Sequence, residues 1–144
     1  LDAFQAFQPF VEAAARSEGI TVLTAAADRG PTSYTTFYTT RAAMELRPEA
    51  FAAMAAACQR AVRAVYEEGG TAVQPALEPL FPEQSPELLG AAVDRYINHQ
   101  LYNRSGAVSR EGFEWLKRAM LGTGFINKGA EFDVCVDNSF AAQD

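Results

Sequence analysis

The chain is poor in the residues that carry most metal and covalent chemistry. Its 144 residues include a single histidine, His99, and two cysteines, Cys58 and Cys135. Two cysteines are too few for a disulfide framework and lack metal-ligand spacing, and His99 has no acidic residue four positions later. We therefore predict no metal, no cofactor and no catalytic residue. One Cys58–Cys135 bridge stays open, because sequence cannot show whether the Cα atoms lie within about 6 Å.

Long apolar runs and an excess of basic charge are also missing. No stretch approaches about 18 apolar residues, the length that a transmembrane helix needs. The net charge of -6 and a pI near 4.8 describe a surface that repels nucleic acid and anionic lipid. These two classes of partner are therefore excluded. The chain begins at Leu1 with an apolar stretch typical of a strand interior, so we expect a further segment upstream.

The composition that is present favours a packed domain. Hydrophobic residues make up 49% of the chain and charged residues 21%. These values, with a length of 144 residues, are usual for one compact domain. The chain is therefore long enough and apolar enough to bury a core.

Several segments have strand character. Residues 33–40 alternate, with Tyr34, Thr36 and Tyr38 predicted on one face. Weaker candidates are the apolar runs 1–4 and 20–23 and the alternating tail 132–137. Because two or three strands make a poor sheet alone, we expect them to pair with strands outside this sequence.

Helical periodicity dominates the remainder of the sequence. Prolines, serines and glycines mark the ends of its segments, as first-turn residues, N-caps and stops. The predicted helices are Pro9 to Arg16, Ala42 to Leu46, Pro48 to the Gly69-Gly70 pair, Ala72 to Leu80, Ser85 to about Tyr102, and Ser109 to Gly122 or Gly124. The fold class expected from both patterns is α/β, with two or three strands followed by a predominantly helical block.

A polar turn ahead of Pro9 is the best candidate for a binding site. Gln5, Phe7 and Gln8 offer two amides and one aromatic face next to backbone N–H groups at a helix start. Such a set suits a small polar or anionic solute, held by hydrogen bonds and stacking. The alternative is that Phe7 is a core residue and Gln8 a helix cap.

The order of motifs along the chain resembles a family of solute-binding proteins. The segment 1–10 is similar to a family stretch in which a strand ending in Asp-Ala leads to an aromatic-Glu-Pro helix start. Arg47-Pro48-Glu49-Ala50 resembles a later helix start of the family, and Asp137-Asn138-Ser139-Phe140 its final strap. The family comprises the binding proteins of ABC importers for nitrate, sulfonates, taurine and thiamine-pyrimidine precursors.

The resemblance implies a partial type II periplasmic-binding-protein fold with two lobes closing on a solute. Residues 1–36 would supply the end of lobe two and a crossover strand, and residues 37–144 the return to lobe one. The missing half of the protein, or another chain, would pair the strand edges. Tyr34 and Thr35 would contact solute if their strand crosses between lobes; otherwise they are ordinary strand residues.

The implied function is capture of a solute for a membrane permease, at a periplasmic or lipid-anchored location. The family's Glu is replaced here by Gln8, which removes a negative charge and favours a sulfonate-like or aromatic-acid ligand over a cationic pyrimidine. Two alternatives stay open: an enzyme similar to thiamine pyrimidine synthase or aromatic sulfinate desulfinase, with its reactive His or Cys upstream, and a ligand-sensing module of a regulator.

Overall fold

The computed structural model describes residues 2–141, apart from the side chain of Glu18. Six α-helices follow one another in these residues, with short 3₁₀ turns at Ala26–Arg29 and Glu78–Leu80. The helices are α1 (Phe10–Glu18), α2 (Arg41–Leu46), α3 (Pro48–Leu77), α4 (Pro86–Asn98), α5 (Arg110–Gly122) and α6 (Phe132–Cys135).

The predicted α/β fold is wrong. Helices make up 58% of the structure, and residues 2–141 form neither a strand nor a sheet. Segments 20–23 and 33–40 lack helical structure but find no neighbouring strand in the described chain. Their composition favours extended backbone, but a β-ladder also needs a hydrogen-bonding partner. The partial type II periplasmic-binding-protein fold implied by the resemblance is therefore also wrong.

The two ends of the chain depart from the prediction in different ways. Leu1, the first residue of the predicted strand 1–4, lies outside the described residues, and residues 2–4 are not in a strand. The tail forms the short helix α6 instead of an edge strand. Its Val136 N–H donates to the Phe132 carbonyl at 2.9 Å. Phe132 is buried, and its ring meets Phe113 edge-on with 5.5 Å between centroids. This contact favours a helical turn over the alternation seen in sequence.

The predicted helix starts and stops are largely confirmed. Ser85 and Ser109 cap α4 and α5, each accepting a backbone N–H three residues later. Gly19 ends α1 in the left-handed conformation, with φ 62°. Helix α4 stops at Asn98, earlier than the predicted end near Tyr102.

Contacts divide the chain into two compact units. Unit 1 consists of the described residues of Leu1–Asp28 together with Ala61–Tyr102, and unit 2 of Arg29–Arg60 with those of Asn103–Asp144. The division falls inside α3. The lobe boundary predicted at residue 36 stays a prediction. In the described part of the chain no helix combines the length and the apolar character needed to cross a membrane.

Unit 1 has its core on α4. Four apolar residues of this helix are buried, and α1 packs against it. They are Leu88, Leu89, Ala92 and Val93. Because α4 supplies most of the buried apolar surface, it fixes the positions of the polar residues on its opposite side.

Helix α3 is interrupted where the sequence predicted its end. Gly69 has φ 78° and ψ 179°, and the helical path then continues to Leu77. The first N–H beyond this break, that of Gly70, donates to the Asp94 carboxylate of α4 at 2.7 Å. Asp94 therefore acts as an N-cap supplied by a neighbouring helix.

In unit 2, side-chain amides form hydrogen bonds with the backbone of segments that are distant in sequence. Asn138 Nδ2 donates to the Val108 carbonyl at 3.0 Å, and Asn138 Oδ1 accepts the Val108 N–H at 3.0 Å. Gln59 Nε2 donates to the Phe140 carbonyl at 3.2 Å. The tail that resembled a family strap is thus tied to unit 2 by its amide and backbone groups.

Residues 30–40 of unit 2 run without helical structure along this unit, and we call this segment the aromatic strap. Arg29 stacks on Trp115 at one end, 5.3 Å from the ring centroid. At the other end the Arg41 guanidinium donates to the Val134 carbonyl at 3.0 Å. Between these anchors the side chains are exposed to solvent: Tyr34 76%, Phe37 76% and Tyr38 96%.

Candidate functional site

The turn predicted to bind solute lies on the surface of unit 1. Phe7 is 65% exposed, so the alternative that it is a core residue is wrong. Gln5 is also exposed, whereas Gln8 is half-buried. The N-cap of α1 is Pro9, so Gln8 is not the helix cap. An aromatic face and an amide therefore stand at the start of a helix, as the sequence indicated.

Gln8 connects this turn to a partly buried ion pair between Glu12 and Arg95. Its Nε2 donates to Glu12 Oε1 at 3.4 Å. Its carbonyl atom, Oε1, is buried and has no hydrogen-bond partner among residues 2–141. An unpaired buried acceptor carries a desolvation cost of about 1–3 kcal/mol, so a donor from a ligand or water would be favourable there.

Glu12 is the buried acid at the centre of the site. Its carboxylate accepts a hydrogen bond from Arg95 Nε and forms an ion pair with that guanidinium. The side chain of Glu12 is 10% exposed and that of Arg95 33%. The hydrogen bond with Glu12 raises the pKa of Arg95 above its usual value, so the guanidinium stays charged. The pair fixes α1 against α4.

A shallow pocket of about 410 Å³ opens beside this pair. Five of its lining residues lie on α4 or at its C-cap, and Glu12 contributes the sixth. The lining residues are Glu12, Ala91, Asp94, Arg95, Asn98 and His99. The helical spacing of the α4 members places them on one face. The pocket is thus a polar recess in unit 1, linked through Glu12 to the Gln8 turn.

His99 borders the pocket and lies near Asp28 of the 3₁₀ turn Ala26–Arg29. Its Nδ1 lies 3.5 Å from Asp28 Oδ1. The other carboxylate oxygen of Asp28 accepts the Ala25 N–H at 2.8 Å and the Thr24 hydroxyl at 3.1 Å. The Ala25 N–H, followed by the Thr24 hydroxyl, lowers the pKa of Asp28 below 3.8. No partner for His99 could be predicted from the sequence, because Asp28 lies 71 positions away.

Tyr96 supports the turn from α4. Burial raises the pKa of its phenol, and a backbone hydrogen bond from Gln8 acts in the opposite direction. The ring also meets Tyr102 edge-on, with 5.7 Å between centroids. The Tyr96 phenol therefore lies near the backbone of Gln8.

The other predicted site residues belong to unit 2. Tyr34 lines an apolar groove of about 400 Å³ with residues of α5 and the loop after it. The other residues that line this groove are Leu116, Ala119, Met120, Thr123 and Phe125. Thr35, the next residue of the aromatic strap, is exposed. Unit 1 therefore brings together Gln5, Phe7 and Gln8, but neither Tyr34 nor Thr35.

Sequence reasoning missed Glu12 and Arg95. Each looks like an ordinary charged residue of an amphipathic helix, and 83 positions separate them. No local spacing signals such a pair. The only available indication was that both helices are amphipathic.

Cys58 and Cys135 are free thiols. The bridge that the sequence left open is therefore not formed. Within the described residues, no group of three or more His, Cys, Asp or Glu side chains is placed to hold a metal ion.

Comparisons with known proteins add no relative. No protein-family model, no curated protein and no solved structure matches the chain. The resemblance described from the motifs is therefore carried by those residues alone.

Proposed function

We propose that this protein binds a small polar or anionic organic solute as the capture component of an ABC importer, and that it is not an enzyme. The proposal includes delivery to a membrane permease and a periplasmic or lipid-anchored location. It rests on the order of family-like motifs and on the surface properties of unit 1.

The turn ahead of α1 carries this proposal. Phe7 offers an exposed aromatic face, and the adjacent Gln8 holds a carbonyl oxygen without a donor. Aromatic faces and a few polar groups at a helix start are common in small-molecule sites. Gln8 is linked to the polar pocket through its hydrogen bond with Glu12, which lines that pocket.

We also propose that the aromatic strap contacts another chain, or the further half of the protein that the resemblance implies. The rings of Tyr34, Phe37 and Tyr38 are exposed by at least three quarters. Clustered exposed rings are a common mark of interaction surfaces. The strap carries no acidic residue between Arg29 and Arg41, although the whole chain has a net charge of -6.

Titration calorimetry with a panel of sulfonates, aromatic carboxylates and neutral aromatic amides tests the solute-binding function. At least one class should bind with saturable heat. Phe7→Ala should weaken binding about tenfold through the loss of ring stacking. Phe125→Ala removes another exposed ring, in unit 2, and serves as the control.

Two results would contradict the proposal. One is the absence of binding heat for every class in the panel. The other is a set of affinities that Phe7→Ala and Gln8→Ala leave at the wild-type level.

A further inference from the structure

We propose that Arg95 binds an oxyanion of the solute, a carboxylate or sulfonate, and that Glu12 is the residue that positions it. This inference rests on the proposed solute-binding function and assigns that function's anion recognition to one guanidinium. Arg95 lies in α4, outside the turn that the sequence singled out.

The way in which Arg95 meets Glu12 leaves most of its donors open. The guanidinium has five N–H donors in a planar fork, and arginine–carboxylate pairs are frequently bidentate. Here the hydrogen bond to Glu12 comes from Nε. Neither terminal nitrogen of Arg95 has a hydrogen-bond partner within residues 2–141. Two parallel donors therefore remain, which is the arrangement that a carboxylate or sulfonate accepts.

Burial distinguishes the two partners of this pair. Glu12 is the more enclosed, whereas a third of the Arg95 side chain reaches solvent at the pocket. The oxygen of Glu12 that accepts from Arg95, Oε1, also accepts a hydrogen bond from Gln8 Nε2. Glu12 thus fixes the orientation of the guanidinium, and Arg95 presents its charge to the pocket.

The remaining charges at the pocket determine what Arg95 can hold. Asp94 is the acid that opposes an anion, but its Oδ1 accepts the Gly70 N–H at the start of a helical segment. The positive end of that segment offsets part of its charge. Asp28 accepts hydrogen bonds from Ala25 and Thr24, and its other oxygen lies 3.5 Å from His99 Nδ1. Asn98, three residues after Arg95, adds an amide at the same pocket.

The pocket therefore favours a ligand group that forms directed hydrogen bonds with the Arg95 guanidinium. It is less suited to a free inorganic anion that is attracted only by net charge. A carboxylate or sulfonate on a small ring fits this requirement, since its oxygens match the two donors. Its neutral amide counterpart lacks the charge that strengthens those bonds.

Calorimetry with three matched probes tests the assignment: benzoate, benzenesulfonate and neutral benzamide. Wild-type protein should bind both anions more tightly than benzamide. Arg95→Gln should weaken anion binding about 10- to 100-fold and leave benzamide unchanged. Asp94→Asn should strengthen anion binding, because it removes the opposing charge. Arg118→Gln, an exposed change on α5, is the matched control.

A second variant at this position separates loss of anion binding from loss of folding. Arg95→Gln leaves Glu12 without its counter-ion, so thermal unfolding is recorded for every variant. Arg95→Lys keeps a positive charge near Glu12 but lacks the planar fork, and it should also lose anion affinity.

Equal affinity for benzoate and benzamide, or anion affinities unchanged in both Arg95 variants, would overturn the assignment while solute binding stands. Absence of binding for charged and neutral probes alike would instead remove the proposed function, and this inference with it.

Discussion

The carbonyl oxygen of Gly90 occupies the space that a Cβ atom at Gly70 would need. The two glycines bring the segment after the α3 break against α4, and Asp94 caps that segment one turn further along α4. The close approach therefore sets the distance between two helices of unit 1.

Gly70→Ala should destabilise the protein strongly, because the added methyl group overlaps backbone that cannot rotate away. We expect a loss of about 3 kcal/mol in the free energy of unfolding, at the upper end of overpacking effects. Chemical denaturation followed by circular dichroism measures it. Gly122→Ala is the control, since nothing lies within 4 Å of its Cβ position. A Gly70→Ala variant as stable as Gly122→Ala would show that the two helices do not meet here.

Gln8→Glu should destabilise unit 1, although it restores the residue found in the family-like motif. The new carboxylate would face Glu12 in place of the Nε2 donor that now lies 3.4 Å from Oε1. We expect a cost of about 1–3 kcal/mol, because a donor is lost and a like charge is added. Thermal unfolding of Gln8→Glu beside Gln8→Ala, which loses the donor without adding a charge, measures this cost. Equal stability of the two variants would rule out carboxylate repulsion.

Asn138→Ala should loosen the tail of unit 2. The substitution removes both hydrogen bonds to the backbone of Val108, at 3.0 Å each. A loss of about 1–2 kcal/mol is expected. Hydrogen exchange should show faster exchange of the Val108 amide. Asn127→Ala, which changes an exposed asparagine in the loop before α6, is the control. Equal exchange of the Val108 amide in the two variants would contradict the stabilising role of the Asn138 hydrogen bonds.

Asp28 should give unit 1 an acid-sensitive turn. Its pKa is lowered in the folded state, first by the Ala25 N–H and then by the Thr24 hydroxyl. A lowered folded pKa means that the contribution to stability is present above the unfolded value, about 3.9, and is lost as pH falls through the folded value. Carbon-13 NMR titration of the Asp28 carboxyl should find a midpoint below 3.8. In Asp28→Asn the NMR signal of the Ala25 amide should not shift as the pH is lowered through this titration. A wild-type Asp28 midpoint at the usual value for an aspartate would show that the Ala25 and Thr24 hydrogen bonds do not stabilise the carboxylate.

The helices could be predicted because their ends are encoded locally. Ser85 and Ser109 carry the capping hydroxyl within three residues of the N–H that they accept. The break at Gly69 was also visible as a glycine pair, and the helix predicted from Ala72 to Leu80 corresponds to the continuation of α3 to Leu77. That continuation depends on Asp94, which is distant in sequence and supplies the new N-cap.

The strands were mispredicted because alternation is a local property and a sheet is not. Tyr34 and Tyr38 have the propensity and spacing of strand residues, yet no described segment offers their backbone a ladder. Phe132 followed the same alternation, but a ring contact with Phe113 stabilises a helical turn. For the candidate site, the sequence singled out Phe7 and Gln8 but not Glu12 and Arg95, whose pairing depends on how α1 packs on α4.

The aromatic strap is held at both ends, and this restricts how it can respond to contact. Arg29 on Trp115 and Arg41 on the Val134 carbonyl limit the wandering of the residues between them. A surface that covers the strap would therefore meet a pre-organised segment, and the conformational entropy lost on contact would come mainly from its side chains. Substitution of Arg29 or Arg41 should therefore weaken such an association, although neither change alters the exposed rings of the strap.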